Sequence, residues 1–551
     1  MGKDSFTAIK EYIDSGTADH RYQYSASTSE VLAIKSVMIH PEHREKILGK
    51  AQFSRPVLDK NYISADGHFK IHYTTSGYHA VDTISTHVPG VPDWVWETAE
   101  TAEYAYRLLV DTLGFDPPPQ DNYGGPESDI YIKNWEGTYP LPYAYTYPED
   151  PVTSTTDQPY DYTSYMVIDN DYQEPGYATH GIDALHVTVA HEYFHMIQLG
   201  YNWWDSNGLV GSSYGDRYFL EWSSTWFEER AYSEVNDYVQ YIAAFFYRPT
   251  DYLWASNYEY AMGPFLYFLQ DIYDDELLVR KIWDKIKRQY AFQSLTEVID
   301  EKGGNLATLY NDFVRACYYT GSRYDENYAV SPDAAGFPEL IIPTANRGTL
   351  DTLLQFQSDI KPFTTFPYMI TFEDNQFVEL DISPSIQDVF IGSYLIDKST
   401  TTDTHRKFGM DTDVFVGETR YNDRLMILMT NSSIDSIYHL DLQVNKLMDT
   451  LSISSKILSI YANPFSWQQQ KPLTIEFQLS HFTNKLSVNI FNLIGQKVYG
   501  QHLNVYDYNP GVNDIQIPAD VFRSKNLSSG IYFLQIVTDR KRITKKFTLL
   551  N

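Results

Sequence analysis

Near Ser331-Pro332 the periodicity of this sequence changes, and no other feature constrains the fold as strongly. Upstream, apolar residues recur at helical spacing in long runs: Trp94 to Leu113, about His186 to Leu199, Phe219–Val235, Val239–Phe246, Gly263–Ile272, Asp275–Lys287 and Ala307–Cys317. Three short stretches among them, His68–Tyr73, Asp129–Ile132 and Tyr165–Asp169, read as strands. Residues 134–163 are rich in Tyr, Pro and Thr and read as long loops. Downstream, helical spacing gives way to period-two segments such as Pro367–Phe372, Phe377–Ile382, Asp388–Leu395 and Arg424–Met429. Turn residues separate them, the pattern of a β-sandwich.

Charge divides the all-β part again. Residues 448–551 carry 11 Lys+Arg against 6 Asp+Glu, whereas the chain of 551 residues carries 42 against 72. A reversal of sign supports a separate module. Four parts are therefore expected: an N-terminal segment 1–64, a domain 65–335, a β-sandwich 336–447 and a second β-sandwich 448–551. The first has helical stretches around Phe6–Ile13 and Ser29–Met38 but no nameable chemistry. Its position alone makes it a candidate prosegment.

A net charge of −30 argues against a nucleic-acid partner, because phosphate binding runs on Lys and Arg. No run reaches the ~18 apolar residues of a transmembrane segment. The one cysteine, Cys317, excludes an intramolecular disulfide framework and a Cys-based zinc site. The opening MGKDSFTAIKEYIDSG lacks the apolar core of a signal peptide, so the expectation is either a cytosolic protein or one whose signal has been removed.

The chemistry is concentrated in His186-Val-Thr-Val-Ala-His191-Glu192-Tyr193-Phe194-His195-Met-Ile-Gln198. Helix positions four apart share a face, so His191 and His195 can offer two imidazoles to one ion. Glu192 projects beside that face and suits a general base rather than a ligand. Zinc fits, because neutral imidazole is a good ligand and a catalytic zinc keeps one position open. A tetrahedral ion needs a third protein ligand. Glu221 supplies a candidate 26 residues after His195, in a second helical run with small residues after it. Glu228 lies two turns further along the same face, placed to orient a ligand histidine through its other ring nitrogen.

His-Glu-x-x-His followed by a glutamate on a later helix resembles the gluzincin metallopeptidases. Those enzymes often show Glu-Gly-x-Ala-x-Trp-x-Glu on the second helix. Glu221, Trp226 and Glu228 match it here, while Trp222 stands in place of the glycine and Ser224 in place of the alanine. The metzincin spacing is absent, since Gly200 falls at the wrong offset and no histidine follows until His405. His68–Tyr73, Gly124-Gly125, Val167–Asp171 and Gln198 are similar to segments of a bacterial secreted gluzincin subgroup. The resemblance covers roughly 65–320. It implies a Tyr or His beyond the glutamate helix as oxyanion donor, for which Tyr260 is preferred over Tyr258. Asp169, Asn170 and Asp171, and separately Asp271, Asp274 and Asp275, are acidic groups that could bind calcium, although such groups more often form turns and helix caps. His68, His72 and His186 are expected to be structural.

The C-terminal part carries a second resemblance. Tyr461-Ala462-Asn463-Pro464-Phe465, then Leu486–Phe491 with Asn492–Val498, then Ser528–Phe533, then the basic Arg540-Lys541-Arg542 to Lys545-Lys546 occur in order. This order is similar to the sorting domain of type IX secretion cargo, over about 455–551. It implies export, with the secretion machinery as a partner. Together the resemblances imply a multidomain chain: an α+β zincin-like metallopeptidase domain followed by two β-sandwich domains. The function implied is a secreted or cell-surface zinc endopeptidase acting on protein or peptide substrates. A surface adhesion protein on a peptidase scaffold, or a zinc exopeptidase, are the alternatives.

Overall fold

The computed structural model describes residues 55–121, 123–137, 141–152, 162–202, 214–251, 258–343, 347–349, 353–372, 376–382, 389–397, 404–407, 414–419, 424–434, 436–447, 455–480, 483, 485–508, 511–525 and 527–550. The described residues fall into two compact units that meet in sequence at Ile341 and Ile342. The helical stretches expected before residue 50 lie outside the described residues.

The first unit begins with a five-stranded sheet. Its strands are β1 (Lys60–Ile63), β2 (Phe69–Tyr73), β3 (Ser128–Lys133), β4 (Ala144–Pro151) and β5 (Tyr162–Asp169), in the order β1-β2-β3-β5-β4. Strands β2, β3 and β5 run parallel, and β1 and β4 are antiparallel edges. Residues 60–63, assigned from sequence to the N-terminal segment, are thus one edge of this sheet. β4 lies where sequence alone suggested loops. Its prolines, Pro148 and Pro151, sit beside the irregular part of its pairing, where an edge strand tolerates them.

Alternation along the strands separates two apolar faces. Phe69, Ile71, Ile130, Ile132, Met166 and Ile168 are fully buried on one. The other carries Tyr131, Trp135, Tyr147, Tyr165 and Val167, with Leu58 packed on it. Helices α1 (Asp93–Tyr106) and α2 (Gly181–Asn202) cover the first face. The tail of α1 widens into a π-helical segment, Arg107–Thr112, before Gly114 ends it at φ +76°. Asp93 begins α1 but caps the preceding loop instead, accepting hydrogen bonds from the Thr86 and His87 backbone N–H groups.

After α2 come α3 (Tyr214–Ala231), α4 (Val239–Tyr247), the short α5 (Tyr258–Ala261), α6 (Gly263–Tyr273), α7 (Leu278–Ile286), α8 (Ala291–Glu301) and α9 (Leu306–Tyr318). Helix α8 has no counterpart in the sequence reading. Trp222 is fully buried and packs edge-on against Phe265 and Phe292. The bulky side chain at this position is thereby accommodated in the core. Close approach is made elsewhere, since a Cβ on Gly263 would meet Thr225 of α3 at 3.0 Å. Cys317 is buried, and burial pushes its thiol pKa well up.

The described residues of the second unit are mostly β-strands, with one six-residue helix, Ala519–Ser524, and short helical turns. One five-stranded sheet has the order Thr404–Lys407, Val389–Asp397, Arg424–Asn431, Thr364–Thr371, Arg347–Thr349. A four-stranded sheet has the order Val414–Thr419, Gln376–Ile382, Tyr438–Leu447, Leu353–Ile360. Ile370, Leu425 and Ile427 of the first share a core with Ile360, Leu440 and Val444 of the second. Further along, a three-stranded and a five-stranded sheet share another core, in which Leu473, Ile475 and Phe477 meet Val488, Leu534 and Ile536. Burial alternates along Leu473–Leu479, whereas Arg424–Asn431 is buried at every position from Leu425 onward, a strand covered on both faces rather than the half-exposed strand that alternation implies. Among the described residues, no helix is long and apolar enough to cross a membrane.

Candidate metal centre

Helices α2 and α3 pack side by side and supply the centre. Both are largely buried, with Tyr193, Phe194, Trp222, Trp226 and Phe227 at zero exposure. That burial fixes their rotation about their axes, and with it the direction of the polar side chains buried among these rings, such as His191, Glu192, Gln198 and Glu228. Small residues at the contact, Ser223 and Ser224, let the helices approach closely.

His191 and His195 stand one turn apart on α2, with ring centroids 4.6 Å apart. Glu221 of α3 faces both. Its Oε2 is 3.1 Å from Nε2 of His191 and 3.2 Å from Nε2 of His195. One ligand atom from each of the three residues lies within 4.8 Å of the others.

The other ring nitrogens are already engaged. Nδ1 of His191 lies 2.5 Å from Oε1 of Glu228. Nδ1 of His195 lies 2.7 Å from Oε1 of Gln198 and 3.2 Å from Oγ of Ser224. Gln198 is buried, and its amide nitrogen reaches the Leu220 carbonyl at 3.1 Å and the Ser223 and Ser224 hydroxyls. These bonds point its carbonyl oxygen at His195. Each imidazole can therefore donate from Nδ1, which leaves Nε2 to face Glu221, with a lone pair when the ring is neutral and with an N–H when it is protonated. Lone pairs facing a carboxylate repel unless a cation joins them or the rings take up protons. This donor set of two imidazoles and one carboxylate fits zinc.

The charges show the same competition. Burial disfavours the charged form of His191, but Glu221 and Glu228 outweigh it and raise its pKa well above the usual histidine range. Burial would raise the Glu221 carboxyl, but His195 and His191 hold it well below the usual carboxylate range. The carboxyl of Glu228 is pushed up to about 7 by burial, against the opposing pull of His191.

Glu192 is buried beside this group and outside the three-residue set. Tyr260, on α5, is half-buried with its ring centroid 6.1 Å from that of His191. Tyr258 is buried and donates to the Arg248 carbonyl, a structural role. His68, His72 and His186 pair with Glu103, Asp129 and Glu97, away from the three-residue set.

The two acidic groups named from sequence differ in fate. Asp169 and Asp171 come together with Glu174 within 4.8 Å, but Asp169 accepts the backbone N–H groups of Trp135, Asp171 and Tyr172, the bonds of a structural turn. Asp275 instead pairs with Lys281 and Lys302, and Asp274 ends α6 in the left-handed region.

Two contributors to the centre were given no role from the sequence, although Gln198 was named there as part of the gluzincin resemblance. Gln198 sits three residues after His195, on the same helix face, so helical spacing pointed to its role. Thr146, on β4, donates to Glu192 and carried no local signal at all.

Residues 459–549 match the family described as the secretion system C-terminal sorting domain. The chain carries a type IX secretion sorting domain. It is a secreted or cell-surface protein, and this domain is its contact with the type IX secretion machinery. No curated protein matches the chain. Among solved structures, it is similar to the periplasmic inhibitor of g-type lysozyme PliG from Aeromonas hydrophila, at 11% identity over 18% of this chain and 96% of that one, with a TM-score of 0.15. PorZ, a surface component of the type IX secretion system of Porphyromonas gingivalis, matches at 14% identity over 22% of this chain and 15% of its own length, with a TM-score of 0.14. The adhesin domain of Epf from Streptococcus pyogenes matches at 12% identity over 36% of this chain and 72% of that one, with a TM-score of 0.14.

Proposed function

We propose that the protein is an exported zinc endopeptidase of gluzincin type, its first unit a zincin-like catalytic domain. The observation that carries this reading is the convergence of His191 Nε2, His195 Nε2 and the Glu221 carboxylate, with each Nδ1 held by a separate acceptor. His191, His195 and Glu221 would hold the zinc. When bound, zinc supplies Lewis acidity that polarises a peptide carbonyl and acidifies water.

The remaining chemistry falls to side chains of this chain. Glu192 accepts the proton of the attacking water and passes it to the departing amine, restoring its carboxylate. Tyr260, whose ring lies 6.1 Å from that of His191, would donate to the developing oxyanion. Burial of Glu192 and of the flanking helices keeps the proton transfer away from bulk solvent.

Metal analysis of the purified protein and casein hydrolysis by wild type and Glu192→Gln test the reading. The expected result is one zinc per chain, hydrolysis by wild type and its loss in the variant, with zinc retained. A zinc-loaded protein whose hydrolysis is unchanged by Glu192→Gln contradicts it. Zinc without hydrolysis in either form favours a binding protein on this scaffold.

A further inference from the structure

We infer that Thr146 is a positioning residue for the general base: its hydroxyl holds the Glu192 carboxylate in the orientation that proton transfer requires. The inference rests on the hydrolytic reading above and extends it to a residue on a different element.

Thr146 lies on the edge strand β4, paired with Met166 of β5. Met166 belongs to the sheet face that α2 covers, so the Thr146 side chain meets α2 as well. Its Oγ1 is 2.6 Å from Oε2 of Glu192 and 3.0 Å from the Glu192 backbone carbonyl. A hydroxyl has one hydrogen to give. The shorter approach to a charged acceptor takes it, since O–H···O⁻ bonds are shorter and stronger than neutral ones.

The consequence is geometric. A glutamate side chain has three rotatable bonds, and a base adjacent to two imidazoles must not swing into the ligand set. Pinning Oε2 from the strand leaves Oε1 as the oxygen that takes up a proton. Among the described residues, the hydrogen bonds to the Glu192 carboxylate come from Thr146.

The test compares Thr146→Val, which keeps the shape and removes the hydroxyl, with Thr146→Ser, which keeps the hydroxyl. Zinc content and melting temperature of each are measured first. Turnover of a fluorescent casein substrate then gives kcat and KM. Binding of acetohydroxamate to the zinc-loaded protein adds a readout without turnover, because a hydroxamic acid binds as its anion and needs a base to take its proton.

The expected result is a kcat lower by about tenfold or more in Thr146→Val, with KM and zinc content unchanged. Acetohydroxamate binding weakens in parallel, and Thr146→Ser restores both. Wild-type kcat and acetohydroxamate affinity in Thr146→Val, with Glu192→Gln inactive, overturn the positioning role and leave the parent reading standing. Zinc loss in Thr146→Val, or a serine variant as impaired as the valine one, overturns it in favour of a packing role. Wild-type turnover by Glu192→Gln overturns both.

Discussion

Oε1 of Glu228 lies 2.5 Å from Nδ1 of His191 and so decides which nitrogen of that ring faces Glu221. The ligand and the residue that orients it come from different helices. Metal affinity in this centre therefore depends on how α2 and α3 pack as well as on the ligands themselves.

Replacing Glu228 tests that dependence directly. Glu228→Ala removes the acceptor and is expected to weaken zinc binding by about 10–100-fold. Glu228→Gln keeps an oxygen acceptor and loses the charge, so its affinity falls between the two. Competition with a chromogenic chelator measures all three proteins.

Zinc binding should be strongly pH-dependent. In the metal-free protein the His191 pKa is raised above the usual histidine range by Glu221 and Glu228 against the effect of burial. A ligand imidazole must be deprotonated, so zinc has to displace that proton. Apparent affinity is therefore expected to rise with pH through the neutral range and to fall on acidification. Calorimetry in buffers of different ionisation enthalpy should show protons released on binding.

Gln198→Leu is expected to damage both metal binding and stability. It removes the nearer of two partners of His195 Nδ1, leaving the Ser224 hydroxyl, and one donor to the buried Leu220 carbonyl, which keeps the Ser223 hydroxyl. Loss of buried hydrogen bonds whose groups keep a second partner is expected to cost about 1 kcal/mol each. Urea unfolding of the metal-free protein measures the stability loss, and chelator competition the loss of zinc affinity.

Glu229, outside the ligand set but next to Glu228, gives a pH signature of its own. Its carboxyl is pushed up to about 8 by burial, with Asp333, Glu228 and Glu234 adding repulsion. The folded chain thus keeps a proton that the unfolded chain releases near the ordinary value of 4.5. The stabilisation from this proton is complete below that lower value and is lost as the pH rises through about 8. Glu229→Gln should flatten this slope and raise stability at pH 8 by roughly 1 kcal/mol, screening by solvent included. Melting curves between pH 5 and pH 8 provide the measurement.

Trp222 stands where the gluzincin pattern that the chain resembles has glycine, and it is buried against Phe265 and Phe292. Trp222→Ala is expected to cost about 3–5 kcal/mol. Its effect on zinc affinity should follow that instability rather than precede it, because Trp222 points into the Phe265 and Phe292 cluster and not at the ligands. Comparing denaturant midpoints with zinc affinity separates the two.

Much of the centre was legible because it is local. His191, Glu192 and His195 occupy one helical turn, and Glu221 and Glu228 two turns of another. Helical spacing fixes which face each shares whatever the rest of the chain does. Alternation likewise marked the β-rich second unit, since a half-buried strand must place apolar residues at every second position. Thr146 was not legible. It sits on a proline-bearing edge strand that reads as loop, and it meets Glu192 across 46 positions of sequence. That β4 lies beside β5 and under α2 is a matter of sheet order, set by the summed packing of distant segments. No spacing rule along the chain encodes it, so only the tertiary structure brings that hydroxyl to the base.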